Sequence, residues 1–186
     1  MRKVFLFLIF FLFIYCTPRR TTLGQEDARL KLRESVYILN SINNIEGKGV
    51  IDFENRKFRL RSKFTFDIRA DSLRLWIKHP LYGTEKQINL LKIRKLLNEI
   101  PKKIIINASY KSRTKKFVLQ GFLEGKPVEI LIEDGHLSNF SYQDTIITLA
   151  NYSKLGDIIF PMHVYGKIKD IKFEIKFTEI RRFKDD

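Results

Sequence analysis

The chain has 186 residues, with 35 Lys+Arg against 21 Asp+Glu and a formal charge of +14. That length suits one domain. The single cysteine excludes an intramolecular disulfide framework and a thiolate zinc site, and 30% charged with 44% hydrophobic residues excludes wholesale disorder. The basic excess asks for an anionic neighbour, which composition leaves open as nucleic acid, lipid headgroups or an acidic protein.

Met1, Arg2 and Lys3 make a short basic start, followed by an unbroken apolar run from Val4 to Tyr15. As a helix that run spans only about 18 Å, against a hydrocarbon core of about 30 Å. It therefore reads as the h-region of a signal peptide over residues 1–15 rather than as a transmembrane helix. Cys16 stands at the end of the run and resembles the lipid-acceptor cysteine of bacterial lipoproteins, although Phe13, Ile14 and Tyr15 occupy places where that pattern has a small residue. The other reading is an uncleaved or conventionally cleaved signal segment with an incidental thiol. Without Arg2 and Lys3 the remainder still carries +12, so the basic surplus belongs to the folded part.

Residues 16–24 are polar and carry Pro18 and Gly24, the composition of a flexible tether. A single domain is expected over 25–186. Thr22 and Gln25 have capping-box spacing. Ala28, Leu32, Val36, Leu39 and Ile42 then recur at steps of four and three, which predicts an amphipathic helix over 25–43.

From Gly47 the period changes to two. In 57–67, Phe58, Leu60, Ser62, Phe64 and Phe66 share one face, opposite Lys57, Arg59, Arg61 and Lys63. The same alternation sets Leu73, Leu75 and Ile77 against Arg74, Trp76 and Lys78. It recurs near the end, with Ile171, Phe173, Ile175 and Phe177 against Lys172, Glu174 and Lys176. Turn signals at Glu54-Asn55, Ala70-Asp71, Gly125-Lys126-Pro127, Asp134-Gly135 and Lys169-Asp170 divide the chain. They leave about eleven strands: 47–54, 57–67, 72–78, 84–90, 103–110, 116–124, 128–133, 136–142, 145–151, 162–168 and 171–181. Between the fourth and fifth, Leu90, Ile93, Leu97 and Ile100 follow helical spacing, and Pro101 is expected to stop that helix. The expected fold class is mainly β (α+β): an incomplete antiparallel β-barrel, with the N-terminal helix and one further helix covering its opening.

Little in the sequence suggests catalysis. His79, His136 and His163 are scattered singly, and no nucleophile elbow or phosphate-binding glycine loop is present; Gly47-Lys48-Gly49 only opens a strand. No enzyme activity, cofactor or metal is expected. A carboxylate pair assembled across the barrel stays open on sequence grounds, without a motif to support it. Nucleic acid is not expected as a partner either. The aromatic residues alternate with the basic ones and so face away from them, only Trp76 lies among cations, and an exported chain does not meet nucleic acid. The Lys/Arg face reads as a solvated outer surface attracted to anionic headgroups.

The stretch DSLRLWIKHPLYGTEKQINL (71–90) resembles the strand–loop–strand of the LolB family, the outer-membrane receptors that accept lipoproteins from a periplasmic carrier. Pro80-Leu81 followed by Gly83 matches the family's Pro-Leu-Gly with Tyr82 inserted. The helix leading into GKGVIDF (47–53), and FPMHVYGKIKDIKFEIKFTEI (160–180), are similar to its opening and closing elements. The segment 91–156 departs from the family, being shorter and without its Trp-containing stretch. The resemblance implies an outer-membrane lipoprotein facing the periplasm of a bacterial envelope and acting without catalysis. It would accept acyl chains of lipoproteins or phospholipid from a LolA-like carrier and deliver them to the membrane surface, as a monomer. It also implies a membrane-inserting loop at Pro80, Leu81 and Tyr82. A lipid cavity is expected to be lined by Phe64, Phe66, Leu73, Leu75, Ile77, Phe173, Ile175 and Phe177; the alternative is that these eight fill a closed core. Two other roles stay open: an assembly lipoprotein binding only protein partners, and a soluble carrier of the LolA type.

Overall fold

A computed structural model describes residues 21–78, 83–111 and 116–183. Helix α1 spans Gln25–Asn40. Its stripe of Ala28, Leu32 and Val36 is buried, and so is Ser35, whose Oγ bonds Lys31 O and Gly135 O, each at 2.9 Å. The predicted capping box does not form. Gly24 is the N-cap with no side-chain cap, while Gln25 Nε2 reaches across to Ile106 O at 3.3 Å. Thr21–Thr22, within the predicted tether, form a short strand β1 paired with Lys111 and Tyr110.

The strands that follow are β2 (Ile45–Glu54), β3 (Arg59–Arg69), β4 (Ser72–Lys78) and β5 (Gly83–Asn89), then helix α2 (Leu90–Lys103). After it come β6 (Ile105–Lys111), β7 (Lys116–Leu123), β8 (Lys126–Glu133), β9 (His136–Tyr142), β10 (Thr145–Leu155), β11 (Ile158–Ile168) and β12 (Ile171–Arg182). All eleven predicted strands are present. The largest boundary changes are at β10, which ends four residues after the predicted 151, and β11, which begins four residues before the predicted 162 and takes in Pro161. The Asp134-Gly135 signal acts as expected, while the turn expected at Gly125-Lys126-Pro127 falls at Glu124-Gly125, with Lys126 and Pro127 inside β8; both pairs have positive φ, the geometry of two-residue hairpin loops.

The strands form one antiparallel sheet in the order β1-β6-β7-β8-β9-β10-β11-β12-β2-β3-β4-β5. Neighbours in sequence are neighbours in space except at two crossings, and each crossing carries a helix. α1 takes the chain from the β1–β6 edge to β2 in the middle of the sheet, and α2 takes it from the β5 edge back to β6. Both helices must therefore lie over one face, and the two edges remain unpaired with each other. The result is an incomplete barrel with helices across its opening.

Pro101 does not stop α2. It lies buried in the last turn, and Ile104 N–H closes the end by donating to Ile100 O at 3.0 Å. So near the C-terminus the proline forfeits a single backbone bond and its ring is packed, which the helix tolerates. The other end of α2 is held by Asn89, whose side chain accepts from Leu91 N–H, and by Arg94. The Arg94 guanidinium donates to Asp71 Oδ1 at 2.7 Å, Ala70 O at 2.9 Å and Ile42 O at 2.8 Å.

The interior divides into two halves. One joins α1 to β6–β9 through Leu32, Val36, Ile104, Ile106, Leu119, Ile130 and Ile132. The other joins β2, β3 and β11 through Ile45, Ile51, Phe64, Phe66, Ile68 and Phe160.

Candidate functional site

The eight residues expected to line a lipid cavity all belong to the β2–β3–β4–β12 side of the molecule. Phe64 and Phe66 are buried there; Leu73, Leu75, Ile77, Ile175 and Phe177 are partly buried against them. Phe173 lies at the edge of this region, beside a small surface cleft with Asp52, Glu54 and Arg59. The aromatic rings interlock: Phe177 meets Phe64 edge-on at 5.7 Å, Phe66 at 5.3 Å and Phe160 at 4.8 Å, and Phe66 stacks on Phe160 at 6.1 Å. Two glycines make room for this. Gly47 and Gly49 stand opposite Phe66 and Phe64, and a Cβ at either would lie 2.8 Å from the ring it faces. The four rings are closely packed, and a cleft of about 260 Å³ opens beside Phe160, lined also by Leu155, Met162 and Ile180.

The larger apolar space lies in the other half, and none of those eight residues lines it. It is a cavity of about 380 Å³ between the two helices and β8–β10. Helix α1 contributes Leu32, Val36 and Leu39; helix α2 contributes Leu96, Leu97 and Ile100; the sheet contributes Ile130, Leu137, Phe140, Tyr142, Ile147 and Leu149. The charged members of the lining are Glu99 and Lys103, at the end of α2, and Glu124 in the β7–β8 turn. Lys103 and Glu124 form a loose pair at 3.9 Å, and both are largely exposed, so they mark the mouth. The Lys102 ammonium, 2.8 Å from Glu99, holds the Glu99 carboxyl below its ordinary pKa and keeps it charged there. The interior therefore offers dispersion contacts and almost no hydrogen-bond partners, the chemistry of a site for a hydrocarbon ligand.

The cavity follows from incomplete filling by the helix pair. Of α2, only Pro101 is buried; Leu96 is 67% exposed although it also faces the cavity. The helix is pinned by Arg94 at its start and bonded to α1 through Asn40–Asn98 at 2.8 Å, and its Leu97 and Ile100 are only partly buried against the core. The sequence signals for these residues were present: the stripe of α1, the helical spacing of Leu97 and Ile100, and the alternation of β8–β10. Which interior face stays unfilled depends on where the helices come to rest.

The remaining predicted positions are quickly placed. Cys16, Pro80, Leu81 and Tyr82 lie outside the described residues, as does His79. His136 stacks on Tyr152 with ring centroids 4.8 Å apart. The Tyr152 hydroxyl donates to Leu137 O, and burial raises its pKa well above the usual phenol value. His163 Nε2 lies 2.9 Å from Glu174 Oε1, and Lys176 is 2.9 Å from the same oxygen. Trp76 lines a groove on the polar face with Lys48, Thr65, Asp67, Glu179 and Arg181.

No protein-family model and no curated protein matches the chain. Solved structures do share its shape. A DUF1329 family protein from Desulfovibrio piger superposes with a TM-score of 0.53 at 9% identity, over 85% of this chain and 94% of that one. A domain named as an outer membrane lipoprotein-sorting protein, from Vibrio parahaemolyticus, gives 0.51 at 9% identity, over 83% and 94%. A LolA superfamily protein from Nitrosomonas europaea gives 0.45 at 7% identity, over 86% and 94%. The first two establish a common fold, a curled antiparallel sheet with helices across its opening.

Proposed function

We propose that this protein is a non-enzymatic acceptor of acyl chains, those of lipoproteins or of phospholipid, in a bacterial envelope. The observation that carries the proposal is the 380 Å³ apolar cavity between α1, α2 and β8–β10, with charge confined to its mouth. Its volume lies near the lower end of ordinary ligand pockets, about 300–1,000 Å³. The fold shared with an outer membrane lipoprotein-sorting domain points the same way. The LolB-like motif at Pro80-Leu81 suggests that the acceptor stands at the outer membrane, anchored through Cys16 and fed by a LolA-like carrier.

Native mass spectrometry of the full chain purified from membranes tests the reading. Bound lipid is expected in the wild type. It should be lost in Leu97→Trp and Ile130→Phe, which fill the cavity, while far-ultraviolet circular dichroism stays unchanged. A lipid-free wild type overturns the proposal. It would favour an assembly lipoprotein that binds only proteins, a second reading supported by the interlocked rings of Phe64, Phe66, Phe160 and Phe177. The same spectra decide between an anchored receptor and a soluble carrier, since only the first carries a diacylglyceryl group on Cys16.

A further inference from the structure

The hairpin turns divide between the two ends of the sheet. The turns β2–β3, β7–β8, β9–β10 and β11–β12 gather at one end. Arg56 reaches Asp170 at 3.6 Å, Lys169 N–H donates to Asp144 O at 2.9 Å, and Val128 pairs with Tyr142. The turns β3–β4, β8–β9 and β10–β11 form the other end, where Asp71 pairs with Arg94 and Asp157 with Arg182. Helix α1 lies against that other end, where Ser35 bonds Gly135 O. Helix α2 starts there beside Asp71 and finishes at the first end, so the mouth marked by Lys103 and Glu124 opens at the first end.

The first end has two further properties. Phe58, Ile146, Ile168 and Ile171 stand exposed at its tips, Phe58 by 56% and the three isoleucines by 44–45%. Among them stand Lys57, Lys167, Lys169 and Lys172, none of which has an ion-pair partner among the described residues. Lys167 and Lys172 are directly opposite each other across β11–β12. A like-charged cross-strand pair costs the fold stability, and an anionic surface laid against it relieves that cost. The acids nearby are partly engaged already, Asp170 with Arg56 and Glu124 with Lys103; Glu54 and Asp144 are not.

Exposed apolar tips set among unpaired lysines match the boundary between anionic headgroups and acyl chains. We propose that this end of the sheet docks on an anionic bilayer. The surface goes beyond the acyl-acceptor reading. Its second consequence, that docking turns the cavity mouth toward the membrane, deepens that reading and rests on it.

Amide hydrogen exchange tests the docking on the full chain reconstituted into phosphatidylcholine vesicles with or without phosphatidylglycerol. The N-terminal segment is the same on both vesicles, so a difference confined to these turns reports the folded part. Exchange in 55–58, 143–146 and 168–171 is expected to slow at least about tenfold only on the anionic vesicles. The turns 70–71, 134–135 and 156–157 serve as internal controls and stay unchanged. Raising the salt concentration, or the charge reversal K57E/K167E/K172E, should remove the slowing. Equal exchange on both vesicles overturns the proposal, and so does protection at the opposite end. Protection that appears without vesicles as protein concentration rises also overturns it, in favour of a second copy of the chain. Lipid retained in the cavity of the triple variant, read by native mass spectrometry, separates the two claims. Loss of cavity lipid with docking intact counts against the acyl-acceptor reading and supports the docking surface.

Discussion

Gly49 shows how much of this fold turns on single atoms. A Cβ there would lie 2.4 Å from Lys176 O and 2.8 Å from the Phe64 ring, so the glycine is required by close approach and not by backbone conformation. Gly49→Val is expected to destabilise the protein by at least about 1–3 kcal/mol, as overpacking does, and urea unfolding followed by fluorescence checks it. Phe66→Ala, at the centre of the four-ring cluster, should cost about 3–5 kcal/mol by leaving a void. Lipid capture in the other half should survive it at temperatures where the variant stays folded. Ser35→Ala removes a donor from the Gly135 carbonyl and should cost about 1–3 kcal/mol. Alternation placed Phe64 and Phe66 on the interior face. It did not reveal that Gly47 and Gly49 make the space they fill, because the register between β2 and β3 joins residues from two different strands.

At the scale of the element, α2 is the part that decides whether a cavity exists. Its apolar residues Leu90, Ile93, Leu97 and Ile100 announce a helix with one apolar stripe, and Pro101 seemed to end it. Only packing shows that the stripe is incompletely covered: the helix is fastened at Arg94 and Asn98, and Leu97 and Ile100 remain only partly buried. Arg94 donates three hydrogen bonds, two of them to backbone carbonyls of separate elements. Arg94→Ala should therefore lower stability by about 1.5–3 kcal/mol. It should also accelerate amide exchange in 90–100 selectively, with β7–β9 unaffected. Uniform acceleration along the chain would show that the arginine supports the whole fold rather than the seating of this helix.

Over the whole molecule, the ion pairs on the polar face set the response to acid. Arg59 holds the Asp52 carboxyl below its ordinary pKa; Lys176 and then His163 do the same for Glu174, and Lys48 for Glu179. For depressed carboxylates the stabilisation is complete above the ordinary carboxylate range and disappears as pH falls through the folded values. The thermal midpoint should thus be flat near neutrality and decline below about pH 4.5, with the D52N/E174Q variant declining less steeply over that window. These groups are exposed and the effect is small beside that of core packing. An equal slope in the variant would assign acid sensitivity to other groups.

Sequence by itself determined the elements: an amphipathic helix, eleven alternating strands, their hairpin turns and a second helix, because periodicity and turn chemistry are local properties of the chain. It also determined that the fold would be an antiparallel barrel, since strands joined by tight turns have few other ways to bury one face each. Only the tertiary structure decided that β12 pairs with β2, that the Phe64, Phe66, Phe160 and Phe177 rings interlock, and that an apolar volume lies under α2 beside Ile130 and Leu137. A void is the difference between the space the backbone encloses and the volume the side chains fill. That difference depends on how helices fastened at a few points settle across the sheet, which no single segment of the chain contains.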